Sequence, residues 1–208
     1  MVTFFFATLG SLFSVVNPFG AIPIYLTLTS EMTPADRSNT ALKTSIWFAL
    51  ILVTFFLGGS AILNFFGITL NALQIAGGVI IVNSGFGLLN SKFQERRMDD
   101  DMQTEAEEMD DVSFTPMAMP MLSGPGSISL LIGLFAAQSE WVSRGLIIGV
   151  ILTMAGLIYG TLRLAPVLDR LLGRTGLAAL SRIMGFLVMS IGIQMLMAGV
   201  VDLVKSLL

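Results

Sequence analysis

Two short clusters carry the recognition chemistry this sequence offers: Asn17-Pro18-Phe19-Gly20-Ala21 and Ser123-Gly124-Pro125-Gly126-Ser127, each set inside a long apolar run. Proline has no N–H, and its ring clashes with the carbonyl one turn back. Each cluster must therefore kink or interrupt its helix and release backbone groups. A released N–H at the start of a half-helix carries partial positive charge and suits a carboxylate, whereas an unwound carbonyl suits an ammonium or a cation. The side chains around both clusters are small, and Asn17, Ser123, Ser127 and Ser129 can hydrogen-bond, so the chemistry is recognition of a small polar or zwitterionic solute. Gln74, Asn83 and Gln194 add amides inside other apolar runs, where they are costly unless they meet a ligand or a neighbouring helix. The candidate substrate-binding set is therefore Asn17, Pro18, Gly20, Ala21, Gln74, Ser123, Gly124, Pro125, Gly126, Ser127 and Gln194.

What is absent narrows the chemistry further. There is no His and no Cys, which removes thiolate and imidazole catalysis and the commonest zinc ligands. No Asp or Glu falls inside an apolar run, the nearest being Asp169 and Asp202 near the ends of runs. An enzyme would need a carboxylate pair, His or Cys in that core, so none is expected, nor is a proton relay through a buried acid. The 13 Met residues read as adaptable packing rather than metal ligands. No cofactor, metal or nucleic-acid partner is expected.

The elements that position these residues are membrane spans. The 208 residues are 54% hydrophobic and 12% charged, with a mean hydropathy of +0.85, against about 25% charged in soluble domains. Six apolar runs, at about 3–28, 42–66, 69–90, 114–138, 144–167 and 180–203, are each long enough to cross a bilayer. At ~1.5 Å per residue, Pro18 lies about 21 Å from Phe4 and Pro125 about 17 Å from Phe114, near the middle of a ~30 Å core. Unsatisfied backbone facing lipid at that depth would cost several kcal/mol per group, so the breaks should face protein or a wet cavity. The polar connection Ser30 to Lys43 could start a short interfacial helix at Thr33-Pro34. Between the second and third runs, only Gly67-Ile68 intervenes. Two GxxxG patterns, Gly145 with Gly149 and Gly156 with Gly160, read as helix packing.

Nine acids and three bases fall between Lys92 and Asp111, a composition that builds no core. This gives a first unit at 1–91, an acidic loop at 92–113 and a second unit at 114–208. Lys and Arg set orientation. One side receives Arg37, Lys43, Lys92, Arg96, Arg97, Arg163, Arg170, Arg174 and Arg182, and the other only Arg144 and Lys205. Both termini are therefore expected outside, with the acidic loop in the cytoplasm. The uncharged n-region and the run into Asn17-Pro18 argue for a retained first span rather than a signal peptide.

The two units also resemble each other. A shift of 107 residues places Asn17-Pro18-Phe19 on Gly124-Pro125-Gly126, and a shift of 108 places Gln74-Ile75-Ala76-Gly77 on Arg182-Ile183-Met184-Gly185. Each half holds three runs, an odd number, so the second copy must enter from the opposite side. The expected fold is an all-α integral membrane protein of six transmembrane helices, built as two inverted three-helix repeats with helices 1 and 4 broken near the midplane.

Asn17-Pro18-Phe19-Gly20-Ala21-Ile22-Pro23, Leu73-Gln74-Ile75-Ala76-Gly77-Gly78, Met119-Pro120 with Gly124-Pro125-Gly126, and Ser181-Arg182-Ile183-Met184-Gly185-Phe186 together resemble the MarC family of bacterial and archaeal inner-membrane proteins. The resemblance extends over nearly the whole chain. It implies six membrane helices and, as described for some relatives, transport of small neutral amino acids such as alanine and glycine. Three functions are consistent with the residues: a secondary transporter working by alternating access, a passive channel for small solutes, and a membrane scaffold whose acidic loop recruits a partner. The expected partners are the small solute and the lipid bilayer, and homo-oligomerisation is left open.

Overall fold

The computed structural model describes residues 1–90 and 111–207, and every regular element among them is helical. In chain order these are α1 (Val2–Val16), α2 (Ile22–Leu28), α3 (Pro34–Phe66), α4 (Leu70–Leu89), α5 (Ser113–Leu122), α6 (Pro125–Ala137), α7 (Trp141–Arg163) and α8 (Ala165–Leu207). Four of the helical stretches, namely α3, α4, α7 and Thr175–Ser206 of α8, are long and apolar enough to cross a membrane, and the pair α5 and α6, bent by 62°, makes a fifth. The first run, expected as one span, is divided: α1 has 15 residues, about 21 Å, and stops at Asn17 before α2 resumes. The acidic stretch from Lys92 to Asp110 lies outside the described residues.

Local chemistry explains where the helices begin and end. Thr33 caps α3, its hydroxyl oxygen accepting from the Asp36 N–H at 3.2 Å, and Pro34 takes the first helical position, where no N–H is needed. The expected interfacial helix is therefore the start of α3 itself. Its 33 residues reach about 50 Å, so its polar first turns project past a ~30 Å core. Gly67, at φ 66°, ends α3, and the Ile68 N–H donates to the Leu63 carbonyl at 2.9 Å. Thr69 then caps α4. This is the tight hairpin expected from Gly67-Ile68. Within α8, Gly173 at φ 61° and ψ 175° interrupts the helix and sets Ala165 to Leu172 apart from the long stretch after it.

Helices α3 and α7 form the centre. On α3 the fully buried residues are Ala41, Thr44, Phe48, Leu52 and Phe56, and on α7 Ile147, Val150, Ile151, Met154, Ile158 and Leu162. Their spacing of three and four puts them on one face. Leu12, Ile22, Tyr25, Met117 and Leu131 complete this core. The other faces expose Trp47, Leu50, Leu57, Phe65, Leu152 and Phe186. So much apolar exposure is what a lipid-facing surface requires. Three of the four GxxxG glycines of α7 are not buried in packing within the chain: a Cβ at Gly145, Gly156 or Gly160 would meet nothing within 4 Å, while one at Gly149 would touch the Phe5 ring of α1 at 3.8 Å, which limits the reading of those patterns as helix contacts to Gly149.

Helices α4 and α8 make the tightest approach. A Cβ on Gly78 would lie 2.8 Å from the Gly192 carbonyl oxygen, and one on Gly85 would lie 2.7 Å from that of Gly185. The residue numbers rise along one helix as they fall along the other, so the two run antiparallel. At the opposite end of the bundle from the α3–α4 turn, Tyr25 donates to the Arg37 carbonyl at 2.5 Å, while Arg37 Nη2 donates to the Thr29 carbonyl at 2.7 Å. This reciprocal clasp ties α2 to the start of α3.

Candidate functional site

The two breaks meet at one cavity of about 750 Å³, a volume suited to small-molecule binding. Val15, Val16, Asn17, Gly20 and Ala21 form its wall on the first break, and Pro120 to Leu122 with Gly124 to Ser127 on the second. Ile81 of α4 and Val188 of α8 form its floor.

Each break is built differently. Asn17 ends α1 in the left-handed region at φ 47° and ψ 67°, a conformation that Asn tolerates better than most residues. Its own N–H donates to the Phe13 carbonyl at 2.9 Å, and Gly20 N–H donates to the Asn17 carbonyl at 3.0 Å and to Oδ1 at 3.3 Å. Ala21 and Ile22 N–H groups likewise bond within the turn, to Pro18 and Phe19. The first break thus uses the N–H groups of Asn17, Gly20, Ala21 and Ile22 within its own turn, and it also leaves carbonyls open: Pro18 has no N–H to return to Ser14 one turn back. Most of the donors at the first break are therefore used locally, and a run of two neighbouring open N–H groups is found at the other.

That other is the second break. Gly124 is extended at φ −72° and ψ 169°, and α6 begins at Pro125. The N–H groups of Gly126 and Ser127, in the first turn of α6, have no acceptor inside the helix. Both residues are buried, and both line the cavity. Ser127 Oγ donates to the Gly124 carbonyl at 2.9 Å, which fixes the turn. The cavity therefore lies between the carbonyl end of α1, partially negative, and the N–H end of α6, partially positive. Before this break, α5 winds in wide turns, with Met117 N–H bonded to Val112 O and Ser123 N–H to Ala118 O, each five residues back. Pro116 and Pro120 sit inside it, and Thr115 and Met119 have extended dihedrals.

The remaining candidates fall elsewhere. Pro18 is buried behind the wall, and Ser123 is fully buried with its Oγ unpartnered, also behind it. Gln74 lies on α4 where it meets α8, its Oε1 buried and without a partner. Gln194 is exposed on the outer surface of α8. Neither glutamine lines the cavity.

From the breaks the cavity extends in one direction, past Thr27, Ser84 and Leu88 to Asp169, Leu177, Ala178 and Ser181. These lie toward the end of the bundle that carries Arg37, Lys43 and Arg163. Asp169 is the one charged residue among the described residues of the wall. In the sequence it looks like an ordinary acid in a polar connection. The break at Gly173 sets the short helix carrying it apart from the rest of α8, and a glycine inside an otherwise helical pattern is the signal the sequence offers.

Comparison with known proteins gives a consistent result. The family model for "MarC family integral membrane protein" matches residues 2–204. A UPF0056 membrane protein of Methanocaldococcus jannaschii is 38% identical over 198 residues, covering 95% of this chain and 96% of that protein. The UPF0056 membrane protein YhcE of Escherichia coli is 34% identical over 95% of this chain and 92% of its own length. The inner membrane protein MarC of Citrobacter koseri is 31% identical over 94% of this chain and 93% of its own length. No solved structure matches the chain. A family model that spans almost the whole sequence, on a helical bundle whose outer faces are apolar, leads to one conclusion: this chain belongs to the MarC family of integral membrane proteins.

Proposed function

We propose that this protein is a secondary transporter of a small neutral amino acid, of the size of alanine or glycine, built as two inverted three-helix repeats in an inner membrane. The observation that carries this reading is the single cavity joining both breaks, with unpaired N–H groups of Gly126 and Ser127 on one side and the carbonyl end of α1 on the other. A zwitterion presents a carboxylate and an ammonium a few ångströms apart, which this pair of helix ends matches. Glycine and alanine at positions 20, 21, 124 and 126 leave little apolar wall for a large side chain to fill. Asp169 at the mouth favours a solute with a positive group. The mouth lies at the Arg- and Lys-rich end, which the positive-inside rule assigns to the cytoplasm, and the relative from Citrobacter koseri is named an inner membrane protein.

Counterflow in liposomes tests the reading. Purified protein should exchange alanine or glycine saturably, and large aromatic amino acids should compete poorly. Asp169→Asn should raise the half-saturation concentration about two- to fivefold, the effect of an exposed ion pair. In the same samples alanine should raise the unfolding temperature, since a ligand that binds only the folded state stabilises it. Flux of small and large solutes at equal rates without saturation would mean a pore, and no flux with no thermal shift would end the transport reading.

A further inference from the structure

The cavity is symmetric at its floor and asymmetric at its mouth. A shift of 107 residues relates Asn17 to Gly124, Gly20 to Ser127 and Ile81 to Val188, and both members of all three pairs line the cavity. The same shift, in place of the 108 that aligned Gln74 with Arg182 by residue type, relates Gly78 to Gly185 and Gly85 to Gly192, and the backbone contacts set this register because the α4–α8 contacts are then images of each other. A Cβ on Gly78 would lie 2.8 Å from Gly192 O, and its image, a Cβ on Gly185, would lie 2.9 Å from Gly85 O. A two-fold relation between the halves thus passes midway along this contact, beside Ile81 and Val188.

At the mouth the relation fails. Thr27, Ser84, Ala178 and Ser181 line the cavity, whereas their images Leu134, Ile191, Asn71 and Gln74 do not. Two halves of similar sequence therefore hold two different conformations. Nothing in the axial contact distinguishes which half holds which, because exchanging them reproduces the same glycine pairs. We infer that the protein takes a second state in which the halves exchange conformations: the mouth beside Ser181 closes, and another opens beside Gln74 at the opposite end of the bundle. Gln74 supports this directly. Its Oε1 is buried without a hydrogen-bond partner in the present state, an arrangement native proteins seldom tolerate, and in the exchanged state it faces the open path. The inference rests on the carrier reading above, since a fixed pore or a scaffold needs no second state.

Sided thiol labelling tests it, because the chain contains no Cys. Ser181→Cys, Ala178→Cys, Gln74→Cys and Asn71→Cys are made singly, checked for monodispersity, and treated with a membrane-impermeant maleimide in vesicles of known orientation. Ser181→Cys and Ala178→Cys should react from the Arg- and Lys-rich end alone, and Gln74→Cys and Asn71→Cys from the other end alone. If the second state holds about 0.1–10% of molecules, the latter pair should react about 10- to 1,000-fold more slowly. Gln74→Cys and Asn71→Cys both inert from either end, or reactive from the same end as Ser181→Cys, would overturn the exchange even if counterflow succeeds. Opposite sidedness with no effect of L-alanine on any rate would uphold the exchange and count against the amino-acid reading alone.

Discussion

Asn17 holds a backbone conformation that most side chains resist and also supplies an amide to the cavity wall, so two roles are superimposed on one residue. Its Oδ1 accepts from Gly20 N–H, and a Cβ on Gly20 would lie 2.5 Å from its Nδ2, so the amide and the glycine are fitted to each other. Substitution separates the two roles. Asn17→Gly keeps the left-handed turn at no steric cost and removes the amide, while Asn17→Ala removes the amide and strains the turn by about 1 kcal/mol. Thermal unfolding should therefore rank Asn17→Gly close to the parent and Asn17→Ala below it. Alanine-dependent stabilisation should fall equally in both, by the 0.5–1.5 kcal/mol or so of one neutral hydrogen bond. Equal unfolding temperatures for the two variants would show that the turn does not depend on residue 17. The position was legible in the sequence because the chemistry of Asn-Pro-x-Gly is local. Which amides reach the cavity was not legible: Gln74 and Gln194 turn toward α8 and toward lipid, and only the packed neighbour decides that.

At the scale of elements, the antiparallel pair α4 and α8 depends on the absence of side chains at five positions, the fifth being Gly199, where a Cβ would lie 2.9 Å from the Asn71 carbonyl oxygen. At Gly78, Gly85, Gly185 and Gly192 the nearest atoms to a new Cβ include backbone of the facing helix at 2.7 to 2.9 Å, and backbone cannot rotate away. Gly78→Ala and Gly192→Ala should each push the helices apart and cost about 1–3 kcal/mol, as overpacking does. Gly145→Ala, on an open face, should be neutral or slightly stabilising by helix propensity. Unfolding temperatures in detergent check the contrast, and a Gly145→Ala variant as unstable as Gly78→Ala would show that α7 has a partner helix the single chain lacks. Spacing alone pointed to α7 for close packing, because a GxxxG pattern marks a smooth face without saying what lies against it. The wide-turned α5 was likewise hidden: Pro116 and Pro120 signal a break, but its i to i+5 hydrogen bonds depend on what packs around it. At the head of α5, Ser113 N–H donates to Asp111 Oδ1 at 3.0 Å and Lys43 Nζ approaches Asp111 Oδ2 at 2.9 Å. Hydrogen bonding from Ser113, partly offset by burial and aided by Lys43, holds the Asp111 carboxyl below its ordinary value. A carboxyl lowered on folding adds stability above its unfolded pKa and loses it as pH falls through the folded one. The unfolding temperature should therefore drop on acidification below the usual carboxylate range, less steeply in Asp111→Asn, with high salt reducing the difference. Identical acid profiles would show that this pairing is absent in the membrane protein.

For the molecule as a whole, the one-sided cavity gives orientation a functional meaning. Hydropathy located the four helices and the bent pair that are long and apolar enough to cross the bilayer, but it counted the divided first run as a span and misplaced the start of α3, since the polar turns from Pro34 to Lys43 are helical outside the apolar core. Charge asymmetry adds a direction that the fold alone does not. The mouth lined by Thr27, Asp169 and Ser181 is at the end bearing Arg37, Arg163 and Arg170, so under the proposed orientation the described conformation is the one open to the cytoplasm. Ser30, exposed between α2 and α3, marks that end, and Ser206, exposed in the last turn of α8, marks the other. In intact cells Ser206→Cys should react with a membrane-impermeant thiol reagent and Ser30→Cys should be protected until the membrane is permeabilised. The reverse pattern would invert the protein in the membrane and make the same cavity an external vestibule. It would leave the relation between α4 and α8 untouched, because the proposed two-fold axis, lying in the membrane plane, favours neither side; only the positive-inside distribution of Lys and Arg argues for which end faces the cell interior.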